Sequence, residues 1–545
     1  MFTQKSLSLI TVGTLSVIIA LAFFVRFVSI ETIPVGLYPD EAANGVDALH
    51  AIETGDFKNF YPANFGREGL FINIQAFFVA LFGNTVTALK LASIIFGTLS
   101  VLGIYLLGKE LFHRRAHGIL AAFMLATSYW AINFSRIGFR AIMTTFLLSF
   151  SFYFFFRGLR THKLSDFLIA GLIFGLGLHT YIAFRVAPLI LIILLPVLLL
   201  SYEKFLRRFW KHGLVFLLGA FLTASPMLYH FFISHPEDFA SRSAHISVFS
   251  PEVNQGDLLG TVAKTFSLSL LKYNFWGDQN WRHNYPPYPV LDPFVGTLFL
   301  AGFLFVIWQF VTLLGKRLRD KDRDTRLVTY TFLLGSFFAM LVPEFLTDER
   351  LPHALRSIGT QAPVFLMASL PAFFILHKAL RSQPGTKIAL LSLLALTLVL
   401  SATFNLTKYF VFFPRAIQSS SSFNEDYRNM AHYLLSLPGT THKYLLINEQ
   451  GENNRFDLPV FAHPIYFLTY NRVQNLEIVQ KDTVLMRPGV FLMPHYNEAI
   501  ADRIKRFYPD ATVETIDWNG KRAGGEFRVI ILPEPKNSPV VAPTR

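Results

Sequence analysis

Two acids stand side by side in "GLYPDEAANG", Gly36 to Gly45, directly after the first long apolar run of the chain. Asp40 and Glu41 are carboxylates near neutral pH, so either can accept a proton from a hydroxyl or amine brought to it. A plainer reading runs beside this one. Pro39 at the first helical position, with acids in the first turn, makes a good helix start that complements the helix dipole. The two readings are compatible.

Arginines supply a second chemistry. "FGREGLF" holds Arg67 and Glu68, and "NFSRIGFRAIM" holds Arg136 and Arg140. "GLHTYIAFRVAP" holds His179, Tyr181 and Arg185, and "LTDERLPHALRS" holds Arg350, His353 and Arg356. Arg136 and Arg140 are four apart and would share one face of a helix, where like charges repel unless an anion lies between them. Guanidinium groups bind phosphate oxygens through paired N–H donors, so arginines drawn from several loops suit a phosphate or diphosphate headgroup. Taken singly, each has an ordinary explanation. Arg67 and Glu68 read as a salt-bridged helix start, Arg136 and Arg140 as side chains snorkelling to headgroups, and His179 as a packed interfacial histidine. A last stretch, "GDQNWRHNYPPYP", sets Asp278, Trp281 and His283 among tyrosines. That mixture suits sugar or headgroup contact, and equally an interfacial aromatic belt. No metal-ligand spacing stands out, so neither a metal nor a cofactor is expected.

The elements that must hold these groups are mostly membrane helices. Of 545 residues, 52% are hydrophobic, 15% aromatic and only 16% charged, with a mean hydropathy of +0.41. A soluble domain of this length carries closer to a quarter charged residues. Eleven apolar runs are long enough to span a bilayer: 7–30, 85–107, 117–134, 139–156, 166–181, 185–201, 213–233, 293–314, 327–346, 358–377 and 387–405. The first is followed by "FVRFVSIETIP" rather than a small-residue cleavage site, and reads as a retained helix. The absence of cysteine excludes disulfides, thiolate catalysis and cysteine metal sites.

Alternate connections are rich in Lys and Arg, from "GKELFHRRAHG" to "GKRLRDKDRDTR". The positive-inside rule places these in the cytoplasm, with the N-terminus inside and the C-terminus outside. Much of the net charge of +13 is therefore a topology signal, and no nucleic-acid partner is expected. The external loop 31–84 should carry a helix from Pro39 to about Gly55. "EGLFINIQAFFVALFG" follows as a helix lying in the interface, and the external loop 234–292 contains an amphipathic stretch. Beyond 405 the pattern changes. "KYLLIN", "NLEIVQ", "GVFLMP", "VETIDW" and "FRVIIL" read as strands between helical "FNEDYRNMAHYLLSL" and "YNEAIADRIKRFY". This predicts a small α/β extracytoplasmic domain over 406–535, followed by a disordered tail, 536–545. There is no repeat, P-loop or GxGxxG.

The ordered set "YPDEAANGVDALHAIETGDF", "GREGLFINIQAFFVALFG", "INFSRIGFRAIM" and "HTYIAFRVAPL" resembles the GT-C membrane glycosyltransferases. Within them it is most similar to glycosyltransferase family 39, the protein O-mannosyltransferases and lipid A aminoarabinose transferases. The resemblance covers about residues 1–400 and implies a GT-C-like fold in a bacterial plasma membrane. It also implies an inverting transferase that takes a sugar from a polyprenyl-phosphate donor to an extracytoplasmic acceptor. On that reading Asp40 is the base and Glu41 its neighbour. Arg67, Arg136, Arg140, Arg185 and Arg356 bind the donor phosphate. Glu68, His179, Tyr181, Asp278, Trp281, His283 and His353 contact substrate, the membrane spans hold the prenyl tail, and membrane lipids are the other expected partners. Relatives often carry a second acid near the second external turn, where this chain has Arg136 and Arg140 instead. Two other readings remain open: a transporter or flippase of lipid-linked sugars, and an inactive relative serving as a scaffold.

Overall fold

The computed structural model describes residues 4–63, 66–240, 246–448, 459–479, 487–518 and 524–534. The tail expected at 536–545 lies outside them. The chain forms two units. One comprises Met1–Ile30, Phe57–Ile74 and Lys90–Phe413; the other comprises Glu31–Asp56, Gln75–Leu89 and Pro414–Arg545.

The first unit is polytopic and α-helical, and the protein is an integral membrane protein. Among the described residues nine helices are long and apolar enough to cross a membrane, or up to ten if one bent pair is counted as a span. The bent pair is Arg115–Thr127 and Tyr129–Arg136, which meet at 60°. A continuous span over 117–134 was the expectation. The chain breaks it at Ser128, whose backbone is extended (φ −69°, ψ 131°). Side chains of the second half tie it to distant connections: Trp130 Nε1 donates to the Ala354 carbonyl at 3.2 Å, and Asn133 Nδ2 to the Arg282 carbonyl at 2.7 Å. Every residue of that short helix is buried. The expected span at 166–181 is also shorter, a helix over Leu164–Leu176 that runs into a 3-10 turn, Gly177–His179.

The hairpin of β1 (Phe60–Tyr61) and β2 (Arg67–Glu68) pairs Phe60 with Glu68 and Tyr61 with Arg67. Gly66 has φ +83°, a left-handed conformation that glycine adopts without a Cβ penalty. Gly69 is held by another constraint. Its N–H donates to the Asn59 carbonyl at 2.7 Å, and a Cβ there would lie 2.0 Å from the Lys58 oxygen. The hairpin end can close only around a glycine.

In the second unit a five-stranded sheet runs in the order β4–β3–β5–β7–β6. Its strands are β3 His442–Leu446, β4 Leu476–Val479, β5 Gly489–Leu492, β6 Thr512–Ile516 and β7 Phe527–Leu532. β3 is parallel to β4 and β5, whereas β7 is antiparallel to β5 and β6. Ile500, Ala501 and Ile504 of helix Glu498–Phe507 cover one face. The other face packs Met430 and Leu434 of Glu425–Ser436, Phe467 of His463–Thr469, and Ala42 and Val46 of Pro39–Thr54. The helix after the first span therefore belongs to the sheet unit. Gly45 makes this possible, because a Cβ there would come within 2.6 Å of the Phe467 ring.

Candidate functional site

In the first unit, three connections between helices deliver one buried ion cluster. Glu68 ends the hairpin, with helix Gly69–Phe82 starting immediately after it. Arg140 lies in the turn before helix Ile142–Thr161, and Arg185 in the 3-10 helix Ile182–Val186. The Arg140 Nε donates to Glu68 Oε2 at 2.8 Å, and Arg185 Nη2 reaches Glu68 Oε1 at 3.5 Å. The Glu68 side chain is 3% exposed and the arginines 13% and 14%. Burial pushes the Glu68 carboxyl up, but the two guanidiniums outweigh it and hold the group below its ordinary value. Two cations on one anion leave the cluster net positive.

Aromatic faces fix the arginines. The Arg185 guanidinium lies 4.4 Å from the Phe231 ring centroid and 5.0 Å from Phe239, and its Nη1 donates to the Phe239 carbonyl at 2.5 Å. Arg140 lies 5.6 Å from the Tyr181 centroid. Such contacts hold a flat guanidinium without neutralising it. His179 donates from Nε2 to the Thr223 carbonyl at 2.8 Å, which anchors its ring.

The remaining expected phosphate binders take other partners. Arg136 and Arg140 do not share a helical face, because the helix ends at Arg136 and Ile137 is extended (φ −102°, ψ 139°). Arg136 donates from Nη1 to the Val25 carbonyl at 2.9 Å and lies over Tyr409 and Phe410, 5.4 and 5.1 Å from their centroids. Arg67 is buried, with Nε donating to the Ala63 carbonyl at 3.2 Å. Arg356 binds Thr347 Oγ1 at 2.5 Å and pairs with Glu349. The five arginines thus divide among several partners.

Asp278 and His283 meet directly, Nδ1 to Oδ2 at 3.1 Å, and the His353 ring lies 4.6 Å from that of His283. Trp281 packs edge-on to Tyr285 at 4.9 Å. Asp40 and Glu41 occupy the first turn of Pro39–Thr54 in the second unit, Asp40 half-buried and Glu41 buried.

Lys272 and Lys408 are among the buried cations that the reading of the sequence did not single out. Lys272 pairs with Glu344 at 2.5 Å, both fully buried. The Lys408 ammonium is buried 4.4 Å from the Tyr129 centroid, with no hydrogen-bond partner among the described residues. An ionisable side chain inside an apolar span was the available signal for Glu344, whereas Lys408 lies just past the end of the expected span 387–405. Lys272 gave none, because it ends an amphipathic stretch where a lysine is ordinary.

Residues 70–230 match the family model described as dolichyl-phosphate-mannose-protein mannosyltransferase. The crystal structure of ArnT from Cupriavidus metallidurans in the apo state is similar at 13% identity and a TM-score of 0.54, covering 95% of this chain and 98% of that one. The same protein bound to undecaprenyl phosphate matches at 13% identity and a TM-score of 0.52, over the same 95% and 98%. No curated protein matches the chain. At this identity the likeness is one of fold, and it bears out the GT-C-like architecture.

Proposed function

We propose that this chain is a membrane glycosyltransferase that takes a sugar from a polyprenyl-phosphate donor. The observation that carries the reading is the mannosyltransferase-family match within a fold shared, end to end, with a protein whose structure holds undecaprenyl phosphate. The net-positive cluster of Glu68, Arg140 and Arg185 supports it. A leaving lipid phosphate gains negative charge as the anomeric carbon–oxygen bond breaks, and preorganised guanidiniums stabilise that charge.

In the proposed reaction an acceptor oxygen or nitrogen attacks the anomeric carbon from the face opposite the phosphate. The sugar is transferred with inversion, and Asp40 takes the acceptor proton. Arg140 and Arg185 meet the departing phosphate. Tyr181, Trp281 and Glu68 contact sugar or headgroup. The alternating Lys and Arg content of the connections supports a cytoplasmic N-terminus and an extracytoplasmic C-terminal domain.

The test is purified protein in lipid with a panel of polyprenyl-phosphate sugars and candidate acceptors, wild type beside Asp40→Asn. A positioned general base contributes roughly 10²- to 10⁴-fold, and Asp40→Asn is expected to lose about that much rate with its thermal midpoint unchanged. Equal release of polyprenyl phosphate by both proteins removes Asp40 from the mechanism. Passage of intact lipid-linked sugar across the bilayer without cleavage makes the protein a transporter.

A further inference from the structure

Asp278 and His283 belong to the connection before helix Pro293–Arg319, and His353 to the connection after helix Arg326–Phe345. Two membrane helices separate them in sequence, yet one ligand-capable atom from each falls within 4.8 Å of the others. Asp278 and His283 are buried and His353 half-buried. We propose that these three side chains form a binding site for one divalent transition-metal ion of the zinc class, joining the two connections. It stands apart from the glycosyltransferase reading, and no sugar or phosphate enters the argument.

The donor set selects the metal. Two imidazole nitrogens and a carboxylate oxygen suit Zn²⁺ or Co²⁺, whereas Mg²⁺ and Ca²⁺ take oxygen ligands. Three protein ligands leave one position of a tetrahedron for water or another oxygen. Adjacent ligand atoms around tetrahedral zinc lie about 3.3 Å apart, from metal–ligand distances near 2.0–2.1 Å. The 3.1 Å between His283 Nδ1 and Asp278 Oδ2 is close to this, and a His353 nitrogen lies within 4.8 Å of both, a gap that metal binding would have to close.

The surroundings hold the ligands as metal sites require. Asp278 Oδ2 accepts from the Ala354 N–H at 2.7 Å and Oδ1 from the Asn280 N–H at 2.8 Å, so the carboxylate is oriented by both connections. Asn284 Nδ2 donates to the Asp278 carbonyl at 3.1 Å. The His353 N–H donates to Glu344 Oε1 at 2.9 Å, and Glu344 is in turn held by Lys272. A second group of similar composition, His235, Glu237 and Asp238, comes from a single short segment in which His235 and Glu237 are exposed, so it joins no two connections. The same three groups also make sense as a plain hydrogen-bonded Asp–His pair beside a tilted imidazole, and the experiment separates the two.

Full-length protein is purified without chelator, stripped, and titrated with Zn²⁺ and with Co²⁺. Metal content is read by mass spectrometry, Co²⁺ ligation by its visible d–d absorption, and folding by the thermal midpoint. We expect one zinc per chain, a raised midpoint on loading, and a Co²⁺ band. His353→Gln, which alters the half-buried ligand, should weaken metal binding at least 100-fold and abolish the band, whereas His235→Gln keeps both. Wild type that takes up no stoichiometric Zn²⁺ or Co²⁺ overturns the proposal, as does a folded His353→Gln that binds as tightly as wild type. Uptake of Ca²⁺ or Mg²⁺ alone overturns it too, because the imidazoles are then not ligands.

Discussion

Two buried ion clusters of the membrane unit respond to burial in opposite ways. At Glu68 desolvation pushes the carboxyl up, but Arg140 and Arg185 together overcome it and the charged form is favoured. At Lys272 desolvation wins over the hydrogen-bonded Glu344 and the field of Asp278, and the ammonium is held below its ordinary value. The arrangement of partners differs. Lys272 has one carboxylate at hydrogen-bond distance and does not recover the water it lost, whereas Glu68 has two guanidiniums within 3.5 Å, which leave a positive remainder. A one-to-one pair suits a staple between helices. A two-to-one cluster retains attraction for an incoming anion.

The largest effect that tests this contrast is on stability. Glu344→Gln strands the Lys272 ammonium and is expected to destabilise the protein by about 3–5 kcal/mol, read from denaturant unfolding in detergent. The double variant Lys272→Met with Glu344→Leu should regain most of that loss, since it removes both desolvation penalties. A loss below about 1 kcal/mol in the single variant would mean that water reaches the pair.

Arg140→Gln probes the other cluster through activity. Glu68 keeps Arg185 as its partner, so stability should change less than in Glu344→Gln. Turnover of a polyprenyl-phosphate donor should fall by roughly 10²- to 10³-fold, the usual effect of losing one preorganised donor. Unchanged kcat with a large stability loss would turn this cluster into a staple as well.

The smallest effect is a slope against pH. A carboxyl depressed in the folded state adds stability that is complete above its unfolded value, near 4.5, and is lost as pH falls through the depressed folded value. Wild type should therefore lose thermal midpoint more steeply than Glu68→Gln as pH falls below about 4.5, because the variant lacks that proton uptake. Parallel profiles would show that the guanidiniums do not stabilise the Glu68 charge.

Much of this molecule is determined by local pattern. Pro39 with its following acids starts a helix that Gly55, at φ 75°, ends, because caps and turn conformations depend on neighbouring residues. The strands of the C-terminal sheet and most spans are likewise legible, since apolar alternation and apolar length are properties of short windows. Only the tertiary structure decided the rest. Ser128 breaks a span that hydropathy reads as continuous, because the next residues find partners at Arg282 and Ala354. Helix Pro39–Thr54 buries Ala42 and Val46 with Phe467, a partner no window of sequence reveals. Glu68 reads as the partner of neighbouring Arg67, yet it binds Arg140 and Arg185, and the spacing that singles out His353 does not show that it meets Asp278 and His283. Charge pairing and ligand geometry depend on which distant surfaces meet, and spacing along a chain does not encode that.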